Sequence, residues 1–149
     1  MKRLVSVAAL GLVATALSVP SAMAAPPEPI EITAVIPGCD FPVLNVVTGK
    51  TKAIEHKNFV TLISPNQRVT VTNTETGKTV SYVITGVGRL TANGSTIRVT
   101  GHNLVFGPGL DGIFYTTGTQ TLVQDEEGMV ALTESSGKVL NICNVLAAP

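Results

Sequence analysis

The chain has 149 residues, with 10 Lys/Arg against 10 Asp/Glu, 2 Cys and no Trp. It contains no run or stripe of basic residues, so the electrostatic footprint on which nucleic-acid binding rests is missing. The aromatic residues are Phe41, Phe59, Tyr82, Phe106, Phe114 and Tyr115, too scattered to present a stacking platform for sugar rings.

The first element is an export signal. Lys2 and Arg3 precede an uncharged apolar run from Leu4 to Val19. That run is roughly 16 residues, short of the ~20 a spanning helix needs. Pro20 ends it, and Ala22 and Ala24 fit the small-residue pattern of a cleavage site. The pattern predicts a signal peptide over 1–24, cleaved between Ala24 and Ala25. The expected product is a secreted, extracellular protein with no membrane insertion after cleavage. Removal of 24 residues leaves 125 of the 149, a normal length for one domain with its own core. It also takes away Lys2 and Arg3, leaving 8 basic against 10 acidic residues, a net charge of −2.

Residues 25–29, "APPEP", read as an extended proline-rich leader, and 30–149 as a single β domain. "IEITAVI" alternates at period 2 and predicts the first strand. "FPVLNVV" and "TKAIEH" follow, with a turn expected at Thr48-Gly49-Lys50. "RVTVTN" and "KTVSYVIT" flank "TETG". In the first run Val69 and Val71 share a face opposite Thr70 and Thr72; in the second, Val80, Tyr82 and Ile84 share one. "GRLTA" and "STIRVTG" flank Asn93-Gly94, the strongest short hairpin signal. "TQTLVQ" and "MVALTE" flank "DEEG", and "SSGK" leads into a last strand, "VLNICNVL". Thr, Val and Gly are abundant, and no dozen residues after the signal hold a helical period. The expectation is an all-β domain: one antiparallel meander of about 8–10 strands, closed as a small or flattened barrel, with a two-sheet sandwich as the alternative.

The two cysteines admit one intramolecular pairing, Cys39 with Cys143, and export favours its formation. It would join the start of the domain to the last strand. A CxxC pair would place its cysteines three positions apart, whereas these are 104 apart, so the pair reads as structural rather than catalytic.

Candidate sites are sparse. "GPGLDG" at Gly107–Gly112 matches G-x-G-x-x-G in letters, but a strand-like stretch follows where the fingerprint needs a helix. It reads as a wide loop kept flexible by its glycines, and no cofactor is expected. His56 and His102 are the only histidines, without metal-ligand spacing, so no metal is expected. Asp125–Glu127 lack the alternating ligands of a calcium loop. No serine sits in a G-x-S-x-G elbow, so no catalytic residue is assigned. Asn93-Gly94-Ser95 matches a glycosylation sequon in letters only, given the bacterial look of the export signal. One conflict stands out. A two-residue turn at Asn93-Gly94 sets Leu90 against Ile97 and Arg89 against Arg98. Like charges directly opposite are unfavourable unless an anion or a carboxylate lies between them. Arg89 and Arg98 are therefore a candidate anion-binding point; the plainer reading has both splay into solvent or meet a neighbouring strand's carboxylate.

The arrangement "CDFPV…TGK", "GRLTANGSTIRVTGHNLVF" and "CNVL" before a short tail resembles small secreted proteins of actinobacteria built from a signal peptide and one two-cysteine β domain. The resemblance implies an extracellular destination and carries over no catalytic residues. Two functions remain open: a non-catalytic domain that binds a surface, a partner or a small ligand, or a small secreted hydrolase or enzyme inhibitor.

Overall fold

The computed structural model describes residues 25–149. The predicted signal peptide and its last residue, Ala24, lie outside the described residues; Ala25 is the first of them. Ten strands follow in chain order: β1 (Glu28–Ile36), β2 (Val43–Glu55), β3 (Phe59–Ser64), β4 (Arg68–Asn73), β5 (Thr79–Val83), β6 (Gly86–Thr91), β7 (Thr96–Val105), β8 (Phe114–Gln124), β9 (Val130–Ser136) and β10 (Val139–Asn141). One short helix, α1 (Ile142–Ala147), completes the elements of the described residues. Among the described residues no helix is long and apolar enough to cross a membrane.

The strands form one antiparallel sheet, and the meander is as expected. β3 and β4 both run antiparallel to β2, as successive halves of one line. β5 and β6 pair with β4 and β3 in the same way, and β9 and β10 both pair with β8. The hairpins at 74–78, 92–95 and 125–129 fall where the turn residues predicted them.

Three expectations are corrected. First, the sheet is not closed into a barrel: β1 pairs only with β2, and β9 and β10 pair only with β8. Closure would need the β1 edge to pair with the last line, but Pro29 lacks a donor there and the chain leaves β10 as a helix. Second, Thr48-Gly49-Lys50 is no turn; it lies inside the 13-residue β2. The chain cannot reverse there because β1 holds Thr48, Gly49 and Lys50 in continuous register on one side. Third, "VLNICNVL", which "SSGK" leads into as expected, is a strand only over Val139–Asn141. Asn141 caps α1 instead, its side-chain oxygen accepting from the N–H groups of Cys143 (2.9 Å) and Asn144 (3.4 Å).

Two of the three line breaks lie beside one row of glycines. Gly86 stands opposite Gly101, and Gly101 opposite Gly118. Reciprocal bonds between Thr117 and Lys138 set Gly118 opposite Gly137. A row of glycines thus crosses four adjacent lines, and β5–β6 and β9–β10 are interrupted beside it. At Gly118 and Gly137 φ is +92° and +104°, and an added Cβ would overlap the carbonyl oxygen of Ser136 or Thr117 respectively. Backbones that close tolerate only glycine. The sheet folds along this row. The fully buried Gln120 braces the crease, its amide donating to the carbonyls of Thr117 (3.2 Å) and Ser136 (3.3 Å).

The core lies on the β1–β2–β4–β5 side of the crease. Val43, Val69 and Val71 are fully buried, with Ile36 and Ile84 beside them. Ile113, Ile142 and Leu146 fill the open end. Each fully buried Val, Leu or Ile contributes about 1.5–3 kcal/mol. Cys39, in the β1–β2 connection, is bonded to Cys143 of α1, with their Cα atoms 5.4 Å apart. The predicted disulfide is present, but it ties the first hairpin to a helix, not to the last strand. It pins α1 as a plug over the core where hydrogen-bonded closure is missing.

Candidate functional site

The loop 106–113 carries the glycine pattern noted in the sequence. It is held in place, contrary to expectation, and not kept flexible. The Val130 N–H donates to the Pro108 carbonyl (2.6 Å), and the Ile142 N–H to that of Ile113 (2.8 Å). The backbone of Gly112 packs against Gly38, next to the disulfide. The loop is therefore fastened to β9 at one end and to α1 and the cystine at the other.

Beneath it lies a cavity of about 270 Å³. Its wall combines Val105 and Phe114 at the ends of β7 and β8, Leu110 and Asp111 of the loop, Thr116, and Leu132 and Val139 of the last line. A straight strand would carry Val139 about 23 Å from Leu132. The fold along the glycine row brings both to one cavity. The lining is aliphatic and aromatic except for Thr116 and Asp111.

Thr116 is only 1% exposed, and its Oγ1 has no hydrogen-bond partner in the protein. Asn103, its register partner on β7, has a second buried and unpartnered group, Nδ2. Leaving a buried polar group unmatched costs about 1–3 kcal/mol. Asn45 Oδ1 and Gln120 Oε1 are likewise buried without a partner among the described residues; of the four residues only Thr116 lines the cavity. Asp111 is exposed and contributes a carboxylate to the wall.

The histidines stand elsewhere. His56 stacks on Phe59, ring centroids 4.2 Å apart. His102 lies 2.6 Å by Nδ1 from the Tyr115 hydroxyl, and that hydroxyl donates to the Val83 carbonyl at 3.1 Å. Tyr115 also stacks on Tyr82 (4.4 Å), joining β8 to β5 across the sheet. Desolvation raises the pKa of both tyrosines above the ordinary 10.0, and Tyr82 raises Tyr115 further. The phenol therefore stays neutral near pH 7 and serves as a structural donor. Among the described residues no group of three His, Cys, Asp or Glu side chains is placed to hold a metal ion.

A pH dependence follows. The folded tyrosines titrate above their unfolded value, so their contribution is complete below about pH 10 and is lost as pH rises through the folded pKa values. The melting temperature is expected to hold from pH 8 to pH 9.5 and to fall at pH 11. Tyr115→Phe is expected to melt a few degrees lower at pH 8, by about 1 kcal/mol for the lost hydrogen bond, and to fall less steeply at pH 11. An alkaline decline as steep in Tyr115→Phe as in the parent excludes Tyr115 as its source.

Arg89 and Arg98 face each other across β6 and β7, in the register read from Asn93-Gly94, and Leu90 faces Ile97. Both arginines are exposed. They lie apart from the cavity, which sequence reasoning missed. Its wall is drawn from residues 105–139 with no shared motif, and Thr116 sits in a Thr-rich strand like any other.

No protein-family model, curated protein or solved structure matches the chain.

Proposed function

We propose that this chain is an exported, non-catalytic domain that carries one small apolar molecule under the 106–113 loop. The observation that carries this reading is the cavity itself, walled by Val105, Leu110, Phe114, Leu132 and Val139, with Thr116 and Asp111 as its polar lining residues. An apolar cavity of ~150 Å³ accepts benzene, so 270 Å³ corresponds to roughly 10–12 heavy atoms. A rotation of the Thr116 hydroxyl toward the cavity gives the ligand one hydrogen-bonding partner, and the Asp111 carboxylate favours a donor over an anion. The ligand class is a one-ring or branched alcohol or amine. The export signal, the disulfide and the likeness to small secreted actinobacterial proteins support an extracellular setting for such a carrier.

At about 0.5 kcal/mol per heavy atom such a ligand binds with Kd near 0.1 mM. Menthol, its hydrocarbon menthane and cyclohexanecarboxylate serve as probes in calorimetry. The expected order is menthol, then menthane about tenfold weaker, then the acid. Thr116→Val keeps the shape, removes the hydroxyl and is expected to bind menthol and menthane alike. Leu132→Trp fills the cavity from a residue 40% exposed and is expected to fold normally and bind neither. Menthol binding undiminished in Leu132→Trp overturns the assignment.

A further inference from the structure

The row across the sheet through Arg89 runs Ile54 on β2, Thr61 on β3, Arg89 on β6, Arg98 on β7, Thr121 on β8 and Glu134 on β9. Residues in one such row project from the same face of a sheet. Each arginine's direct cross-strand neighbours are therefore the other arginine and a threonine. Neither has a carboxylate directly opposite. The nearest in the row is Glu134, two strands from Arg98 and so about 10 Å away at the backbone, and its carboxylate accepts from the Thr121 hydroxyl at 3.1 Å.

Two further features shape this face. The Arg89 guanidinium lies over the Phe59 ring, 5.2 Å from its centroid, which orients it and holds it away from free solvent rotation. Along the strands, Val87 and Thr100 join the two arginines as the walls of a groove of about 510 Å³. The Thr100 hydroxyl shares a hydrogen bond with Thr119 at 3.4 Å, a weak contact that leaves it free to turn toward a ligand.

Opposed arginines on adjacent strands destabilise the sheet when nothing lies between them. Guanidinium groups bind tetrahedral oxyanions through paired N–H donors, and two of them facing one another match the several oxygens of one such group. We infer that the groove between Arg89 and Arg98 binds a tetrahedral oxyanion, a phosphate or sulfate group, on the outer face of the sheet. This site is independent of the cavity reading: no residue is shared, and the glycine row lies between the arginines and the Thr116 end of β8. The proposed carrier thereby gains an attachment point for phosphorylated or sulfated ligands.

The test is thermal melting of the mature protein in low-salt buffer, with sodium sulfate, sodium phosphate or sodium chloride added at matched ionic strength. In the parent, sulfate and phosphate at about ten times Kd are expected to raise the melting temperature by roughly 3–6 °C more than chloride does. The balance between the two separates a sulfate source from a phosphate source. Arg98→Ala and Arg89→Ala are expected to melt at or above the parent in low salt, because the repulsion is gone, and to lose the oxyanion-specific rise. Glu134→Gln is expected to keep it. Two results overturn the site: an equal oxyanion response in Arg98→Ala, or a low-salt melting temperature that falls in Arg98→Ala and in Glu134→Gln alike with no oxyanion effect in the parent. The second result assigns Arg98 to Glu134 as an ion pair.

Discussion

Gly118→Ala is expected to lower the unfolding free energy by about 3–4 kcal/mol, a fall in melting temperature of roughly 10–20 °C. Two costs combine. At φ +92° a Cβ costs about 1–2 kcal/mol in local sterics alone. That Cβ would also overlap the carbonyl oxygen of Ser136 on the neighbouring line, which is backbone and cannot swing aside. The strands would have to separate at the crease, loosening the two carbonyl bonds made by Gln120. Two glycines outside this row separate the contributions. Gly88→Ala meets no atom nearer than 3.9 Å and is expected to be close to neutral. Gly77→Ala, at φ +75° with nothing within 4 Å, is expected to lose about 1 kcal/mol, for conformation without collision. Chemical denaturation of the three variants gives the comparison. Equal losses at Gly118 and Gly77 contradict a crease closed by backbone contact.

Reduction of Cys39–Cys143, or Cys143→Ser, is expected to cost about 4–5 kcal/mol from the chain entropy of a loop of 104 residues, with measured removals commonly 2–5 kcal/mol. The loss should not be spread evenly. α1 has six residues, too few to persist alone, and is held chiefly by the cystine, the burial of Ile142 and Leu146, and the Ile142 N–H bond to Ile113. The reduced protein should therefore lose amide protection first in α1 and in 106–113, which α1 anchors through the Ile142 N–H. The hairpin at Asn93-Gly94 should stay protected. Because that loop supplies Leu110 and Asp111 to the cavity wall, reduction is also expected to weaken the binding of menthol at least tenfold. Hydrogen exchange with and without reductant reads this directly. Uniform loss of protection along the chain would mean that the cystine stabilises only the unfolded-state balance and does not hold a plug.

Much of the sheet was legible because its signals are local. Asn93-Gly94 fixed a register, and the register fixed Arg89 opposite Arg98. The period of 2 in "RVTVTN" placed Val69 and Val71 on one face, which is the buried one. The cystine was legible because two cysteines permit one bridge. What was not legible depends on registers carried across four lines. Gly86, Gly101, Gly118 and Gly137 look like separate breaks in the sequence; only pairing aligns them, so an open folded sheet read as a closed barrel. The same crease creates the cavity, which is why no motif announced Thr116. The helix left a small trace: Asn141 as a cap and Ile142 and Leu146 four apart, one turn of helix set in a run of β-formers. "TGK" misled in the opposite sense, since its glycine serves a continuous strand.

The most direct measurement is an amide correlation spectrum of the mature, oxidised protein titrated with menthol. The carrier reading predicts saturable shifts at Val105, Leu110, Phe114, Thr116, Leu132 and Val139, with Arg89 and Arg98 unmoved. Shifts confined to other parts of the sheet, or none at millimolar menthol while the spectrum remains that of a folded domain, contradict it.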